Sequence, residues 1–267
     1  MITAAASPLL LTFDIFANRT DVTAFVTTRV GGLSNGHLSS LNMGLSEFEP
    51  AQATIGNRML VCKAANIDFE KLTFQHQVHG SSITIVNENN AGAGNRVKAE
   101  ALPDSDAMIT ATPGITLFAQ AADCVPIAAY DPIRKVAAAI HAGWRGTAQR
   151  IAAKTIQKMV TDFGCNPQNI LVGIGPSIGK CCYEVGPEVV DIFKREFGFA
   201  QSLFTATENG QTLDLWSANQ LQLEEVGVLA SNIEVAGICT KCCCDKFYSS
   251  RADSGKTGRF GVGIAIA

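Results

Sequence analysis

A chain of 267 residues that is 47% hydrophobic and 17% charged can bury a large core, which excludes a disordered or low-complexity protein. A formal net charge of −3 gives nucleic acid or anionic lipid no attractive field, so the expected partner is a small molecule, with no nucleic acid and no membrane. No Pro/Ser/Gly-rich linker, long charge run or internal repeat divides the sequence, and one catalytic domain spanning 1–267 is expected.

The chain opens on MITAAASPLLLTFDIF, whose brief apolar run from Leu9 to Leu11 has no basic region before it and no small-residue cleavage pattern after it, so it is not read as a signal peptide. No apolar stretch approaches the roughly 20 residues needed to span a bilayer. Strand-like runs follow at 22–28, 82–86, 107–110, 115–119, 126–130, 135–141 and 170–174. A last run, 260–266, contains Gly261 and Gly263, which mark a bulge or a close backbone approach. Helical spacing covers 51–65, with Pro50 at its first turn, and 147–163, where Ile151, Thr155, Met159 and Phe163 share a face before Gly164. Two further helices are expected over 187–197 and 214–226, each followed by glycine. Strands come both in succession and separated by helices. This predicts an α+β fold of mixed β-sheets covered by helices, with α/β as the alternative.

Nine cysteines is an odd count, and Cys181-Cys182 and Cys242-Cys243-Cys244 are adjacent. A secreted disulfide framework is normally even and spaced, so reduced thiols in a cytoplasm fit better.

Three segments at strand edges or turns carry the chemistry: Gln77-Val78-His79-Gly80, Ala122-Asp123-Cys124-Val125-Pro126, and His141-Ala142-Gly143-Trp144-Arg145-Gly146-Thr147. The chain has four histidines, and two of them stand here. Imidazole and thiolate are ligands zinc prefers, and a catalytic zinc keeps three protein ligands with a fourth position open. The competing reading is that each His or Cys is an ordinary buried or hydrogen-bonded residue, for the chain has no HExxH, no pair of CxxC motifs and no HxE followed by PCxxC.

The wording of the segments is more specific than their ligand types. QVHG, ADCVPI and HAGWRGT, in that order, resemble the laccase-domain family, also called multicopper polyphenol oxidase-like and now regarded as purine nucleoside phosphorylases. The resemblance runs over nearly the whole chain, through TTRVGG at 27–32, SLNMG at 40–44, Asn57-Arg58, DAMIT at 106–110, GPSI at 175–178, YEVG at 183–186 and the tail from Cys239 to Arg259. It implies that His79, Cys124 and His141 bind zinc. It also implies phosphorolysis of adenosine, inosine, guanosine or methylthioadenosine, and deamination of adenosine. The tail departs from the family pattern of paired arginines, reading Phe247-Tyr248-Ser249-Ser250-Arg251-Ala252. Cys239 and Cys242 form a CxxC that suggests a second, structural metal, but no separate CxxC stands elsewhere to complete it.

A multicopper site needs many imidazoles, which four histidines do not supply, although one copper in place of zinc is an alternative for the same three ligands. In phosphorolysis an anion must be held beside a developing oxocarbenium, a task for arginines and a metal. Arg145, between His141 and an expected helix start at Thr147, is the first candidate and joins Cys124 and His141 as a catalytic residue. Arg29, Asn42, Arg58, Gln77, Asp123 and Arg251 are the candidate substrate-binding residues. Deamination would use the open metal position to activate water. Two other classes remain: a cytoplasmic Cys124/His141 amidase acting without metal on peptidoglycan precursors, an activity associated with some relatives, and a non-enzymatic zinc module, which would need a fourth protein ligand. Either a monomer or a homodimer is expected.

Overall fold

The computed structural model describes residues 2–4, 9–208 and 210–267. Part of the opening segment, read above as no signal peptide, lies outside the described residues. Among the described residues no helix is long and apolar enough to cross a membrane.

Two six-stranded sheets lie face to face. The first runs, in spatial order, β1 (Ile2–Ala4), β2 (Leu10–Phe13), β3 (Val22–Thr27), β15 (Phe260–Ile266), β7 (Thr116–Ala121) and β4 (Leu72–Thr73). The second runs β14 (Ile233–Val235), β10 (Leu171–Ile174), β8 (Val125–Asp131), β9 (Val136–Ala142), β6 (Ala107–Thr110) and β5 (Ile83–Ile85). A small third sheet holds β11 (Glu184–Val185), β13 (Gly210–Leu213) and β12 (Phe204–Thr207). The pairs β4 with β7, β5 with β6 and β10 with β14 are parallel and the others antiparallel, so the sheets are mixed, as expected.

Residue alternation explains the layers. On β9, Val136, Ala138, Ile140 and Ala142 turn toward helix α4 (Ile151–Phe163) and its Ile151, Ile156 and Met159. Ala137 and Ala139 turn the other way, into a core shared with Leu117 of β7 and with Val262 and Ile264 of β15. Both faces of β9 are buried, which is why its sequence reads as an unbroken apolar run. Helices α5 (Pro187–Glu196) and α6 (Leu215–Glu225) complete the cover on that side. The outer face of the first sheet packs Phe25 and Phe118 under Val61 and Cys62 of α2 (Ala51–Ala65). The chain is thus a helix–sheet–sheet–helix stack, with α1 (Asp14–Ala17) at one side.

The two glycines of β15 mark close approach rather than a bulge. Its ladder to β7 runs unbroken from Phe260↔Ala121 to Ala265↔Thr116, and a Cβ on Gly261 or Gly263 would collide with the ring of Phe118 or Phe25. One expectation is corrected. The helix predicted over 147–163 is two, α3 (Trp144–Ala148) and α4, separated by Arg150 in the left-handed region at φ 62°. The first begins a turn early, capped at Gly143, because the Thr147 N–H already donates to the Gly143 carbonyl at 2.8 Å and its hydroxyl accepts from Asn219. Arg150 is held by Glu225 and by the Phe197 ring, which offsets the roughly 1–2 kcal/mol that a left-handed residue costs.

Candidate metal centre and its cavity

Asp106, wholly buried at the start of β6, organises the centre. The backbone N–H groups of Val78, His79 and Gly80 donate to its carboxylate at 3.3, 3.0 and 2.7 Å, and this wraps the 77–80 turn around one anion. The turn puts His79 at φ 59°, a conformation that a side-chain-bearing residue adopts only when its surroundings impose it. From β9, His141 Nδ1 reaches the same carboxylate at 2.7 Å. Burial opposes charge on Asp106, but His141 and the N–H groups of Gly80 and Val78 outweigh it and hold the carboxyl below its usual range. An ionised carboxylate accepts, so His141 donates through Nδ1, which leaves Nε2 as the nitrogen that a metal would take, displacing any proton it carries.

Cys124 arrives on the turn before β8, where Asp123 adopts φ 93°. Its Sγ stands 4.0 Å from His79 Nδ1, and the donor atoms of His79, Cys124 and His141 all lie within 4.8 Å of one another. Gly143 keeps the space between them open, since a Cβ there would sit 2.9 Å from His79 Nδ1 and 3.0 Å from Cys124 Sγ. Burial alone would raise the Cys124 thiol, but His141 and His79 bring it down to about 6. His141, against its burial, is raised to about 9 by Cys124 and Asp106. Two imidazoles and a thiolate around a space reserved by a glycine fit a single borderline-soft divalent ion.

The three donors lie at the wall of a cavity of about 850 Å³. Asn42, Arg58, Gln77, Asp123 and Arg251 also line it, but several are engaged in holding the fold. Arg58 is buried, donates to the carbonyls of Met43, Gly94 and Asn95, and stacks 3.7 Å from the Phe74 ring centroid. Asn42 bridges Gly44, Glu49 and the N–H of Arg259. Both ends of the Gln77 amide pair with the backbone of Gln120. The Asp123 carboxylate accepts from the Thr240 hydroxyl at 2.6 Å and the Arg251 N–H at 2.7 Å, fastening the tail against the Cys124 turn. Arg251 donates to the Glu184 carbonyl and lies 5.3 Å from the Tyr183 ring centroid. Two predicted arginines do not line this cavity. Arg145 is exposed, over the Trp144 ring at 4.3 Å, and Arg29 lies in a separate shallow pocket, held by the carbonyls of Ser39 and Cys244.

Sequence reasoning missed Asp106, Gly143, Tyr183 and Arg259 as site residues. Arg259 lines the cavity and is fixed by the carbonyls of Thr257 and Gly258. Burial lowers its pKa, while Cys124 and Asp123 act in the opposite sense. A carboxylate directly before an apolar four-residue strand was the one available sign of Asp106: it enters the core and there must find donors.

The family model described as multi-copper polyphenol oxidoreductase laccase matches residues 23–267. A purine nucleoside phosphorylase of Bacteroides thetaiotaomicron is 34% identical over 100% of this chain and 99% of its own. Adenosine deaminase RL5, from an unknown prokaryotic organism, is 32% identical over 91% of this chain and 93% of its own. Among solved structures, the hypothetical protein YfiH of Bacillus licheniformis superposes with a TM-score of 0.94 at 34% identity, covering 98% of each chain.

Proposed function

Because the chain belongs to the multi-copper polyphenol oxidoreductase laccase family, we propose that it is a zinc-dependent enzyme that cleaves adenosine, inosine, guanosine and methylthioadenosine with phosphate and also deaminates adenosine. The single observation that carries the reading is the convergence of His79, Cys124 and His141 at the wall of a cavity of about 850 Å³, within the size range of small-molecule sites. The relatives named purine nucleoside phosphorylase and adenosine deaminase supply the two reactions. The family name notwithstanding, four histidines do not furnish a multicopper cluster, and copper remains only an alternative occupant of the same three ligands. A cytoplasmic setting, with its nine cysteines unpaired, belongs to the same reading.

In phosphorolysis a phosphate oxygen forms a bond to C1′ as the bond from C1′ to the purine nitrogen breaks, its electron pair leaving with the base. Arg251 and Arg259, which line the cavity, would hold phosphate by charge-assisted hydrogen bonds. Tyr183, which also lines the cavity, offers a ring face to a purine. When bound, the ion supplies a Lewis acid that holds and polarises an oxygen or nitrogen ligand. Asp106 keeps His141 in one tautomer and one orientation throughout. Inosine should yield hypoxanthine and ribose 1-phosphate only when phosphate is supplied, and adenosine should yield inosine without it. Free ribose in the absence of phosphate would mean hydrolysis and would overturn the reading.

One observation favours a second reading. A depressed thiol beside a raised imidazole is also the pair a cysteine amidase uses, with Cys124 as nucleophile and His141 as its base. Activity on a peptide-like amide that survives complete metal removal would select it.

A further inference from the structure

Cys181 and Cys182 follow Gly179 in the loop after β10, and Cys239 and Cys242 lie in the tail beyond β14. The two segments run side by side through a parallel bridge between Ser177 and Cys239, with the Thr240 N–H donating to the Ser177 carbonyl. The fold therefore supplies the partners that the CxxC at 239–242 lacks in sequence. Cys242 Sγ stands 3.5 Å from that of Cys182 and 3.7 Å from that of Cys181, and all four Sγ atoms lie within 4.8 Å of one another.

These spacings select among the things four cysteines can do. A disulfide brings its sulfurs to about 2.05 Å, far closer than either contact. Four thiolates at about 2.3 Å from one tetrahedral ion stand about 3.8 Å apart, close to what is seen. An iron–sulfur cluster distributes its thiolates over several irons and needs a wider cage. The group also has the outer support of a metal site, since the N–H groups of Gly179 and Cys242 both point at Cys239 Sγ, the former at 3.3 Å.

We propose that Cys181, Cys182, Cys239 and Cys242 bind one zinc ion in a closed, structural site separate from the His79/Cys124/His141 group. The ion ties together two segments that border the cavity. Tyr183, next to Cys182, lines it, and Thr240, next to Cys239, donates to the Asp123 carboxylate behind Cys124. The site needs no assumption about the reaction and stands or falls apart from it.

The test uses the full chain, reduced and supplied with zinc alone. Wild type should hold close to two zinc ions per chain. Cys124→Ala, which empties the cavity group, should keep close to one, and X-ray absorption on it should show an all-sulfur shell at about 2.3 Å. Cys181→Ser with Cys242→Ser should lose that ion and lower the melting temperature by several degrees. Should this double variant fail to fold, the stoichiometry and shell of Cys124→Ala decide alone. Zinc-free Cys124→Ala, a shell containing nitrogen, or a disulfide among the four cysteines in freshly purified protein would overturn the proposal.

Discussion

The two donor groups differ in what carries them. His141 and Cys124 sit at the ends of paired strands in the second sheet, and His79 on a turn wrapped around a buried carboxylate, whereas the four-cysteine group joins two loops whose outer members, Cys181 and Cys242, are exposed. The first offers three donors that line the cavity, and the second four donors, none of which lines it. A centre that must hold and release substrate is built on elements the core already fixes. A centre that only ties the chain can sit on loops, because the ion itself supplies the order.

The largest blow to this contrast falls on the cavity group. Cys124→Ala should leave turnover of inosine and adenosine at background and remove the cavity ion, read by activity and metal analysis. Survival of full activity would move the chemistry elsewhere. Asp106→Asn should cost about 10–100-fold in zinc affinity of the cavity group, the usual effect of removing the partner that orients a histidine ligand, and competition against a chelator measures it. The four-cysteine ion should be unaffected, which separates loss of orientation from loss of fold.

Smaller effects sharpen the reading of the cationic wall. Arg251→Ala should raise the phosphate requirement by about one to two orders of magnitude, from a charge-assisted bond of about 1.5–3 kcal/mol, while adenosine deamination falls less. Exposed Arg145→Ala should change it only a fewfold. The reverse ranking would return the phosphate role to Arg145. In metal-stripped protein, Cys124 should alkylate with a rate that rises through pH of about 6, because a thiol whose pKa is depressed is already thiolate above that value. Buried Cys62, pushed up to about 12, should stay unreactive across the same range, and peptide mass spectrometry reads both. A Cys124 profile with its midpoint near 8.5 would show that the histidines do not act on it.

The sequence reveals what is local. The helix 51–65 is legible because Pro50 precedes it and Asn66, at φ 53°, accepts a left-handed stop. The three ligand segments are legible from their wording, and the apolar runs from composition. What it hides is long-range. Nothing near His141 announces Asp106, which pairs with it only because β6 and β9 are neighbours. Cys181 and Cys182 are visible as an adjacent pair and support reduced thiols, but no spacing rule links them to Cys239 across the intervening chain. The break at Arg150 is hidden because amphipathic spacing continues through it, while the strand's exit at Gly143 decides where the helix begins.

The place of β15 has a consequence for how the molecule comes into being. Residues 260–266 lie between β3 and β7, so the first sheet stays in two pieces, each with a raw hydrogen-bonding edge, until that segment has left the ribosome. During synthesis Val22–Thr27 waits for nearly the whole chain, a separation that makes closure slow and leaves apolar strands open to wrong partners. Truncation before Phe260 would therefore be expected to yield an aggregating chain rather than a smaller folded one, even though all seven residues of the two donor groups would still be present.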